Sequence, residues 1–195
     1  MLTYVATQNA GKLAEMHAIF ADSDFALRIA PDYRAVEEGE VSYLENARLK
    51  ARSLAHDLRA GNQPGAVLAD DSGIEVDALN GRPGVLSARY VSEFATWGQR
   101  IARMINELRE VPEERRTARF ISVMVVVLED GREFHARGEV LGRIAESPYG
   151  GAGFGYDPIF IPNGDDRTFA ELTFDEKNQR SHRRHAADAL RRLLA

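Results

Sequence analysis

The sequence predicts a mixed α/β fold with an elongated mixed sheet and flanking helices. Short apolar segments typical of buried strands alternate with segments of helical periodicity. The most apolar run, Phe120–Leu128, is followed by Glu129-Asp130-Gly131, a turn signal that predicts a β-hairpin. The chain ends in an amphipathic helix. Its 195 residues suit a single domain that spans residues 1–195.

The first half of the chain contains three predicted strands and three predicted helices. The strands are short and apolar, at Leu2–Ala6, at Leu27 and Ile29, and at Ala66–Ala69. The helices are expected at about Gly11–Ala21, after the capping pair Ser42 and Glu45, and at Ser92–Arg109, where Phe94 belongs to the apolar stripe.

The second half is predicted to begin with the hairpin and to end in helices. Phe120–Leu128 and Glu133–Val140 are the paired strands. Thr173 and Glu176 form another capping pattern, S/T-x-x-E, which predicts a helix start. Ala187, Leu190, Leu193 and Leu194 supply the apolar face of the last helix.

Composition excludes several classes of protein. The net charge is -5, whereas proteins that bind nucleic acid by neutralising phosphates are usually basic. No apolar run approaches the roughly 18 residues of a transmembrane helix, and the N-terminus does not resemble a secretory signal. The absence of cysteine excludes disulfides and thiolate zinc sites. We therefore expect a cytoplasmic protein that binds neither nucleic acid nor a membrane.

The segment Thr7–Lys12, TQNAGK, lies between a predicted strand and a predicted helix. Such a turn presents free backbone N–H groups, and the helix dipole adds partial positive charge. Gly11 lets the backbone approach an anion, and Lys12 adds a full positive charge. The pattern indicates a polyphosphate cradle, although it also fits a plain connection in which Asn9 caps the helix and Lys12 is solvated. It is not a Walker A loop, because neither Ser nor Thr follows the lysine.

Asp70 and Asp71 directly follow the predicted strand Ala66–Ala69, and α/β folds commonly place ligands at strand ends. Mg²⁺ prefers oxygen ligands and is typically held by one or two carboxylates together with substrate phosphates. Because adjacent strand residues point to opposite faces, the two carboxylates should not reach the same cleft. One is expected to bind metal or activate water, and the other to cap the turn or orient a partner. The residues DDSG also fit a simple turn.

Two stretches near the C-terminus fit a site for a nucleotide base. Phe154-Gly155-Tyr156-Asp157 combines aromatic rings, which can stack on a base, with a glycine that permits close approach. The same aromatics also fit a hydrophobic core. From Lys177 to Ala195 the chain carries six Lys or Arg against the single acid Asp188, which predicts a local basic surface. A solvated helix face is the alternative for part of it.

Five ordered motifs together resemble the inosine triphosphate pyrophosphatase family, which hydrolyses non-standard purine nucleoside triphosphates such as ITP, dITP and XTP. The motifs are TQNAGK, SYLENARLKA, LADDSGIEVDALNGRPGVLSARY, GAGFGYDPIF and the K-x-x-x-S-H-R pattern of Lys177–Arg183, and the match covers nearly the whole chain. The resemblance implies two lobes around a central nucleotide cleft, a homodimer, and Mg²⁺ as the cofactor. It also implies release of the nucleoside monophosphate and pyrophosphate.

The resemblance assigns roles to residues as well. Asp71 would be the catalytic carboxylate and a metal ligand, and Glu38 the second metal ligand. Glu37 is an alternative, because the residues around Gly39 depart from the family pattern. Asp70 is expected to be structural or supporting. The expected substrate-binding residues are Thr7, Gln8, Asn9, Ala10, Gly11, Lys12, Lys50, Ser72, Phe154, Gly155, Tyr156, Asp157, Lys177, His182 and Arg183.

Gln8 stands where the family pattern has glycine. If that position needs a positive φ, Gln8 strains the loop, and otherwise its amide is available to the phosphates. Two other function classes fit parts of the pattern. A kinase or transferase would use the same phosphate loop but needs an acceptor site, and an RNA- or nucleotide-binding module would use the C-terminal basic stretch.

Overall fold

A computed structural model describes residues 1–30 and 33–195, and within them one mixed sheet holds six strands. The strands are β1 (Leu2–Val5), β2 (Ala26–Ile29), β3 (Ala66–Val76), β4 (Thr117–Val127), β5 (Glu133–Ile144) and β6 (Phe160–Pro162). Their order in the sheet is β2-β1-β3-β4-β5-β6. β1 runs parallel to both β2 and β3, and β5 pairs antiparallel with β6. The predicted mixed α/β class is confirmed.

Five α-helices occur in the described residues. They are α1 (Ala10–Phe20), α2 (Tyr43–Ala60), α3 (Trp97–Leu108), α4 (Phe174–Arg180) and α5 (His182–Leu194). Four of them begin after a residue whose side chain accepts a backbone N–H of the first turn, namely Asn9, Ser42, Thr96 and Thr173. The caps predicted at Ser42 and Thr173 are confirmed. Such side chains stabilise the helix start, because they satisfy amides that have no partner within the helix.

The chain forms two compact units. Unit 1 comprises Met1–Asp71, Ser122–Gly138 and Arg183–Ala195, and unit 2 comprises Ser72–Ile121 and Glu139–His182. In unit 1, alternate residues of β3 enter two different apolar clusters. Leu68 packs with residues of α1 and α5, whereas Val67 and Ala69 pack with residues of α2. Both faces of this part of the strand are therefore buried.

Unit 2 has a core rich in aromatic rings. Phe120, Phe160 and Phe169 contact one another with ring centroids 4.7 to 5.9 Å apart. Ile74 and Val76 from the second part of β3 belong to the same cluster. They explain why β3 is longer than predicted: the alternating buried residues after Gly73 extend the strand. Asp70 and Asp71 thus lie inside a strand, and both the predicted strand end and the alternative turn are wrong.

The predicted helix at Ser92–Arg109 begins later, at Trp97. Thr96 and Gln99 form a reciprocal capping box that sets this start. Phe94 is 94% exposed and does not belong to an apolar helix face. Instead, the buried Arg100 donates to the backbone carbonyls of Ser92 and Ala95, so the residues before the helix are held by a side chain.

The predicted hairpin is confirmed, and both of its strands are longer than expected. β4 begins at Thr117 and β5 continues to Ile144, because buried residues alternate further along both strands. Gly131 in the turn has φ +90°, a conformation that favours glycine. In the described part of the chain, no helix is long and apolar enough to cross a membrane.

Candidate active site

The segment Thr7–Lys12 forms the capped start of α1. The Asn9 side chain accepts the backbone N–H of Lys12 at 3.0 Å, and Thr7 Oγ1 accepts the N–H of Asn9 at 3.1 Å. Ala10 and Gly11 occupy the first turn. The capping alternative therefore holds for Asn9. Lys12 is not simply solvated, because its ammonium lies 2.9 Å from the Asp70 carboxylate.

Gln8 fits this loop without backbone strain. Its φ is not positive, unlike that of Asn62, Asn80 and Val91. Its side-chain amide donates a hydrogen bond to the carbonyl of Tyr33 at 3.2 Å. The strain alternative is wrong, and the amide ties the loop to the segment that precedes α2.

Lys50 joins the two carboxylates expected to bind metal. Its Nζ lies 2.8 Å from Asp71 Oδ1 and 2.7 Å from a Glu38 carboxylate oxygen. Burial alone would lower the pKa of Lys50, but Asp71 and Glu38 outweigh burial and raise it. Asn46, one helical turn before Lys50, donates to Asp71 Oδ2 at 3.2 Å. Glu37 is exposed, so Glu38 is the glutamate of this pair that joins the cluster.

Asp70 faces a different set of groups. Its Oδ2 lies 2.9 Å from Lys12 Nζ and 3.4 Å from Arg183 Nε, and its Oδ1 accepts the hydroxyl of Ser122. Burial alone would raise the pKa of Asp70, but Lys12, Arg183 and the Ser122 hydrogen bond hold it well below the usual range of an aspartate. The two adjacent carboxylates thus contact separate partners, as the strand geometry predicts.

Two lysines converge on the backbone between these aspartates. Lys12 Nζ and Lys50 Nζ each lie 3.4 Å from the carbonyl oxygen of Asp70. Each ammonium group has three N–H donors. The start of α1 adds backbone amides and the positive end of a helix dipole. This part of unit 1 therefore places two ammonium groups and a helix N-terminus beside Asp71, and these are groups that can bind phosphate oxygens.

The predicted base loop lies in unit 2 and is ordered by Asp157. The Asp157 carboxylate accepts the backbone N–H of Phe154 at 2.8 Å and forms an ion pair with Lys177. The Lys177 ammonium also lies 5.0 Å from the centroid of the Phe154 ring, a cation–π contact. Tyr156 is buried and donates its hydroxyl to the carbonyl of Ser87 at 3.0 Å, so this aromatic belongs to the core.

His182 and Arg183 are both buried. The His182 ring stacks on Phe120 with centroids 4.7 Å apart and an interplanar angle of 9°. Lys177 and Arg183 are each 3% exposed, because both are paired with buried carboxylates. The basic surface predicted at these two positions is therefore wrong. Ser72, the first residue of unit 2, is half-buried, and Gly155 has φ +68°.

Three residues that contact the predicted site residues were not predicted from the sequence, namely Glu15, Asn46 and Ser122. Asn46 had a usable signal, because its spacing of four from Lys50 puts both on one helix face. Glu15 precedes Met16 on the buried side of α1, and a glutamate there signals a buried cation partner. Ser122 lies within an apolar strand, where a hydroxyl also needs a partner.

Comparisons with known proteins cover nearly the whole chain. The model of the Ham1 family matches residues 3–193. A dITP/XTP pyrophosphatase of Symbiobacterium thermophilum is 46% identical over 193 residues, covering 98% of this chain and 94% of the relative. The dITP/XTP pyrophosphatase of Bacillus subtilis is 42% identical over 192 residues, covering 97% and 93%.

Solved structures show the same fold. The Ham1 protein of Staphylococcus aureus superimposes with a TM-score of 0.83 at 37% identity, covering 100% of this chain and 98% of that one. A HAM1 protein from Coxiella burnetii gives a TM-score of 0.82 at 36% identity, with the same coverage.

Proposed function

The chain belongs to the Ham1 family, and we propose that it hydrolyses non-canonical purine nucleoside triphosphates, namely dITP, XTP and ITP, to the monophosphate and pyrophosphate. Relatives that are 46% and 42% identical over nearly the whole chain bear the name dITP/XTP pyrophosphatase. The observation in the fold that carries the proposal is the convergence of Lys12 and Lys50 on the Asp70 carbonyl, beside the carboxylate of Asp71.

The phosphate-binding residues of this proposal all lie in unit 1. The amides at the start of α1, with Thr7 and Asn9, bind the phosphate chain, and Lys12 and Lys50 offset its charge. Asp71 positions the water that attacks the α-phosphorus and accepts its proton. Lys50 holds one oxygen of this carboxylate and Asn46 holds the other, which fixes its position, and each oxygen keeps a further lone pair for the proton. Pyrophosphate is the leaving group, and the lysines stabilise the charge that develops on it.

The donor set beside Lys50 fits Mg²⁺. The carboxylates of Asp71 and Glu38, which both contact the Lys50 ammonium, are the two ligands that the chain would offer the ion. Nowhere in residues 1–30 and 33–195 do three His, Cys, Asp or Glu side chains gather, so phosphates and waters would complete the coordination. Mg²⁺ is commonly bound in this way. When bound, it would neutralise charge on the phosphate oxygens.

The residues assigned to the base lie in unit 2, and their chemistry favours a keto group. Hypoxanthine and xanthine carry a 6-keto acceptor, whereas adenine carries a 6-amino donor. Backbone N–H groups around Phe154 and Gly155, together with the imidazole of His182, are the donors proposed to read the keto oxygen. Adenine would face donor against donor, and such mismatches in buried sites give large discrimination.

The test is product analysis with purified protein. ITP, dITP, XTP, ATP and GTP are each incubated with Mg²⁺ or with EDTA, and pyrophosphate and orthophosphate are measured separately. The proposal requires pyrophosphate from the first three and little from ATP. Orthophosphate as the main product, or equal hydrolysis of ATP and ITP, contradicts it. A kinase or a binding module would release no pyrophosphate from nucleotide and water.

Asp71→Asn tests the role given to this carboxylate. The amide keeps the shape of the side chain and removes the charge and the basic oxygen. Pyrophosphate release should fall at least about 100-fold, the typical contribution of a general base. Near-normal turnover in this variant contradicts the role given to Asp71.

Three further expectations belong to the same proposal. Residues 1–195 act as one functional domain, which is supported by the continuous family match. The homodimer implied by the resemblance is tested by light scattering. The cytoplasmic location follows from a substrate that belongs to the nucleotide pool.

A further inference from the structure

Asn46 is a buried amide on α2, and each of its polar groups has a hydrogen-bond partner. Its Oδ1 accepts the backbone N–H of Gly39 at 2.8 Å, and its Nδ2 donates to the carbonyl of the same glycine at 3.1 Å. Nδ2 also donates to Asp71 Oδ2 at 3.2 Å. A carboxamide has two N–H donors and one acceptor oxygen, so all three groups of Asn46 are used. Because the residue is only 2% exposed, water cannot replace these contacts.

The segment of residues 33–41, which precedes α2, is held to that helix at two adjacent positions. The segment contains neither helix nor strand and is mostly exposed. Asn46 binds both backbone groups of Gly39. Lys50 Nζ lies 2.7 Å from the carboxylate of the preceding residue, Glu38. Asn46 and Lys50 are four residues apart and therefore share one face of α2, which determines where the Glu38 carboxylate lies.

The same two side chains of α2 also hold Asp71, which comes from β3. Asn46 contacts Oδ2 of Asp71, and Lys50 lies 2.8 Å from its Oδ1. The carboxylates of Asp71 and Glu38 repel each other, and Lys50 offsets this repulsion. An ammonium is a compact charge on a flexible stem, so it attracts both groups without fixing their directions. The planar amide of Asn46 has donors and an acceptor at fixed angles, and it fixes the segment relative to Asp71.

We propose that Asn46 is a positioning residue that holds Glu38 beside Asp71, so that the two carboxylates form one site for a divalent cation. Asn46 does not contact the ion, because its own polar groups are occupied by Gly39 and Asp71. This inference rests on the proposed function, since that proposal makes Asp71 and Glu38 the ligands of Mg²⁺. Partners that orient metal ligands typically contribute 10- to 100-fold to metal affinity.

The test measures Mn²⁺ binding by electron paramagnetic resonance, with no nucleotide present. Mn²⁺ takes the same oxygen ligands as Mg²⁺. Asn46→Ala removes all three hydrogen bonds and should weaken Mn²⁺ binding at least about tenfold. Glu38→Gln should weaken it as well. Adding Asn46→Ala to Glu38→Gln should cost less than about threefold more, because Asn46 acts largely through Glu38.

Hydrolysis of ITP gives a second readout. In Asn46→Ala, the Mg²⁺ concentration that gives the half-maximal rate should rise at least about tenfold. The KM for ITP at saturating Mg²⁺ should change less than about twofold, because Lys12 and the amides of α1 are untouched. A larger KM with an unchanged requirement for Mg²⁺ would contradict the proposal.

Gly39→Ala is the matched control. A Cβ at this position would lie 3.6 Å from Asn46 Oδ1, which is an ordinary contact, and the backbone N–H and carbonyl that Asn46 binds remain. Glu133→Gln is a control for α2 itself, because Glu133 pairs with Arg48 and Arg52 of the same helix. Both variants should bind Mn²⁺ within about twofold of the wild type.

Three results would overturn the proposal. They are wild-type Mn²⁺ affinity in Asn46→Ala, additive losses in the double variant with Glu38→Gln, and a tenfold loss in Glu133→Gln. If Asn46→Ala does not fold, Asn46→Ser carries the same measurements, since its hydroxyl is too short to bridge both partners.

Mn²⁺ binding without nucleotide separates this inference from the proposed function. If Asn46→Ala weakens Mn²⁺ binding and no nucleotide is hydrolysed by the wild type, the positioning role stands and the activity is wrong. If the wild type hydrolyses ITP and Asn46→Ala binds Mn²⁺ normally, the activity stands and the positioning role is wrong. A wild-type chain whose Mn²⁺ binding is unaffected by Glu38→Gln also contradicts the positioning role.

Discussion

Replacing Lys50 by Met tests whether its ammonium holds the Asp71–Glu38 pair together. Methionine keeps most of the volume and removes the charge, which leaves two carboxylates facing each other. Removing one partner of a buried ion pair costs about 3–5 kcal/mol. The Glu38 side chain is 31% exposed and partly screened by water, whereas that of Asp71 is 5% exposed. We therefore expect the lower end of the range, about 3 kcal/mol.

The assay is thermal and urea unfolding at pH 7 in EDTA. For a chain of this length, about 3 kcal/mol corresponds to a fall in Tm of roughly 6–12 °C. Adding Mg²⁺ should raise the Tm of Lys50→Met more than that of the wild type, because the ion then supplies the missing positive charge. Arg48→Met is the control. Arg48 pairs with the exposed Glu45 and with Glu133, and Glu133 keeps Arg52 as a partner, so the substitution should cost less than about 1 kcal/mol.

The pH dependence gives a second readout of the same ion pair. Because the folded state raises the pKa of Lys50 above 10.5, its stabilising contribution is complete below that pH. The contribution is lost as pH rises through the higher folded value. The stability difference between wild type and Lys50→Met should thus be constant from pH 7 to about 9 and narrow above about 10.5. An unfolding free energy equal to that of Arg48→Met at pH 7 would refute the reasoning.

Three other substitutions have expected outcomes. Asp70→Asn should destabilise the fold by about 3 kcal/mol at pH 7, because Lys12 and Arg183 lose their shared anion. The low folded pKa of Asp70 means that its contribution is present above about pH 4 and is lost below it. Urea unfolding should therefore show a smaller difference in unfolding free energy between wild type and Asp70→Asn at pH 3 than at pH 7. An unchanged difference contradicts the role given to the Asp70 charge. Val91→Gly should raise Tm by about 2–4 °C, because φ at Val91 is 80° and glycine tolerates it; a lower Tm in a thermal scan speaks against stored strain. Arg100→Met should speed hydrogen exchange in residues 91–96, because Arg100 donates to the carbonyls of Ser92, Glu93 and Ala95; exchange at the wild-type rate would show that the segment is ordered by other contacts.

Much of the fold was predictable because its signals are local. The hairpin followed from an apolar run and a Gly131 turn, and the caps at Ser42 and Thr173 followed from hydroxyl groups placed three residues before a glutamate. The length of β3 was not predictable in the same way. DDSG has turn-forming residue types, and only the burial of Ile74 and Val76 in a core formed by distant residues keeps the strand extended.

The candidate site was predictable as a list of residues but not as a set of pairs. Resemblance placed Lys12, Lys50 and Asp71 in one site. No local pattern shows that Asp70 meets Arg183, which lies 113 residues further along the chain. For the same reason, charge counting suggested a basic surface at Arg183, whereas the fold buries the guanidinium against carboxylates from α1 and β3.

The central place of β3 in the sheet determines how freely Asp71 can move. The strand lies between β1 and β4 in the order of the sheet. Its pairing with β1 ends at Leu68, and its residues are buried as far as Asp71, which carries the proposed catalytic carboxylate. Local opening of such a strand needs a free energy close to that of global unfolding. The backbone of the aspartate is therefore expected to move slowly, whereas exposed loops generally move on faster timescales. Any conformational step that limits turnover must then arise in the surrounding loops and side chains, and an increase in their mobility would leave the carboxylate itself where it is.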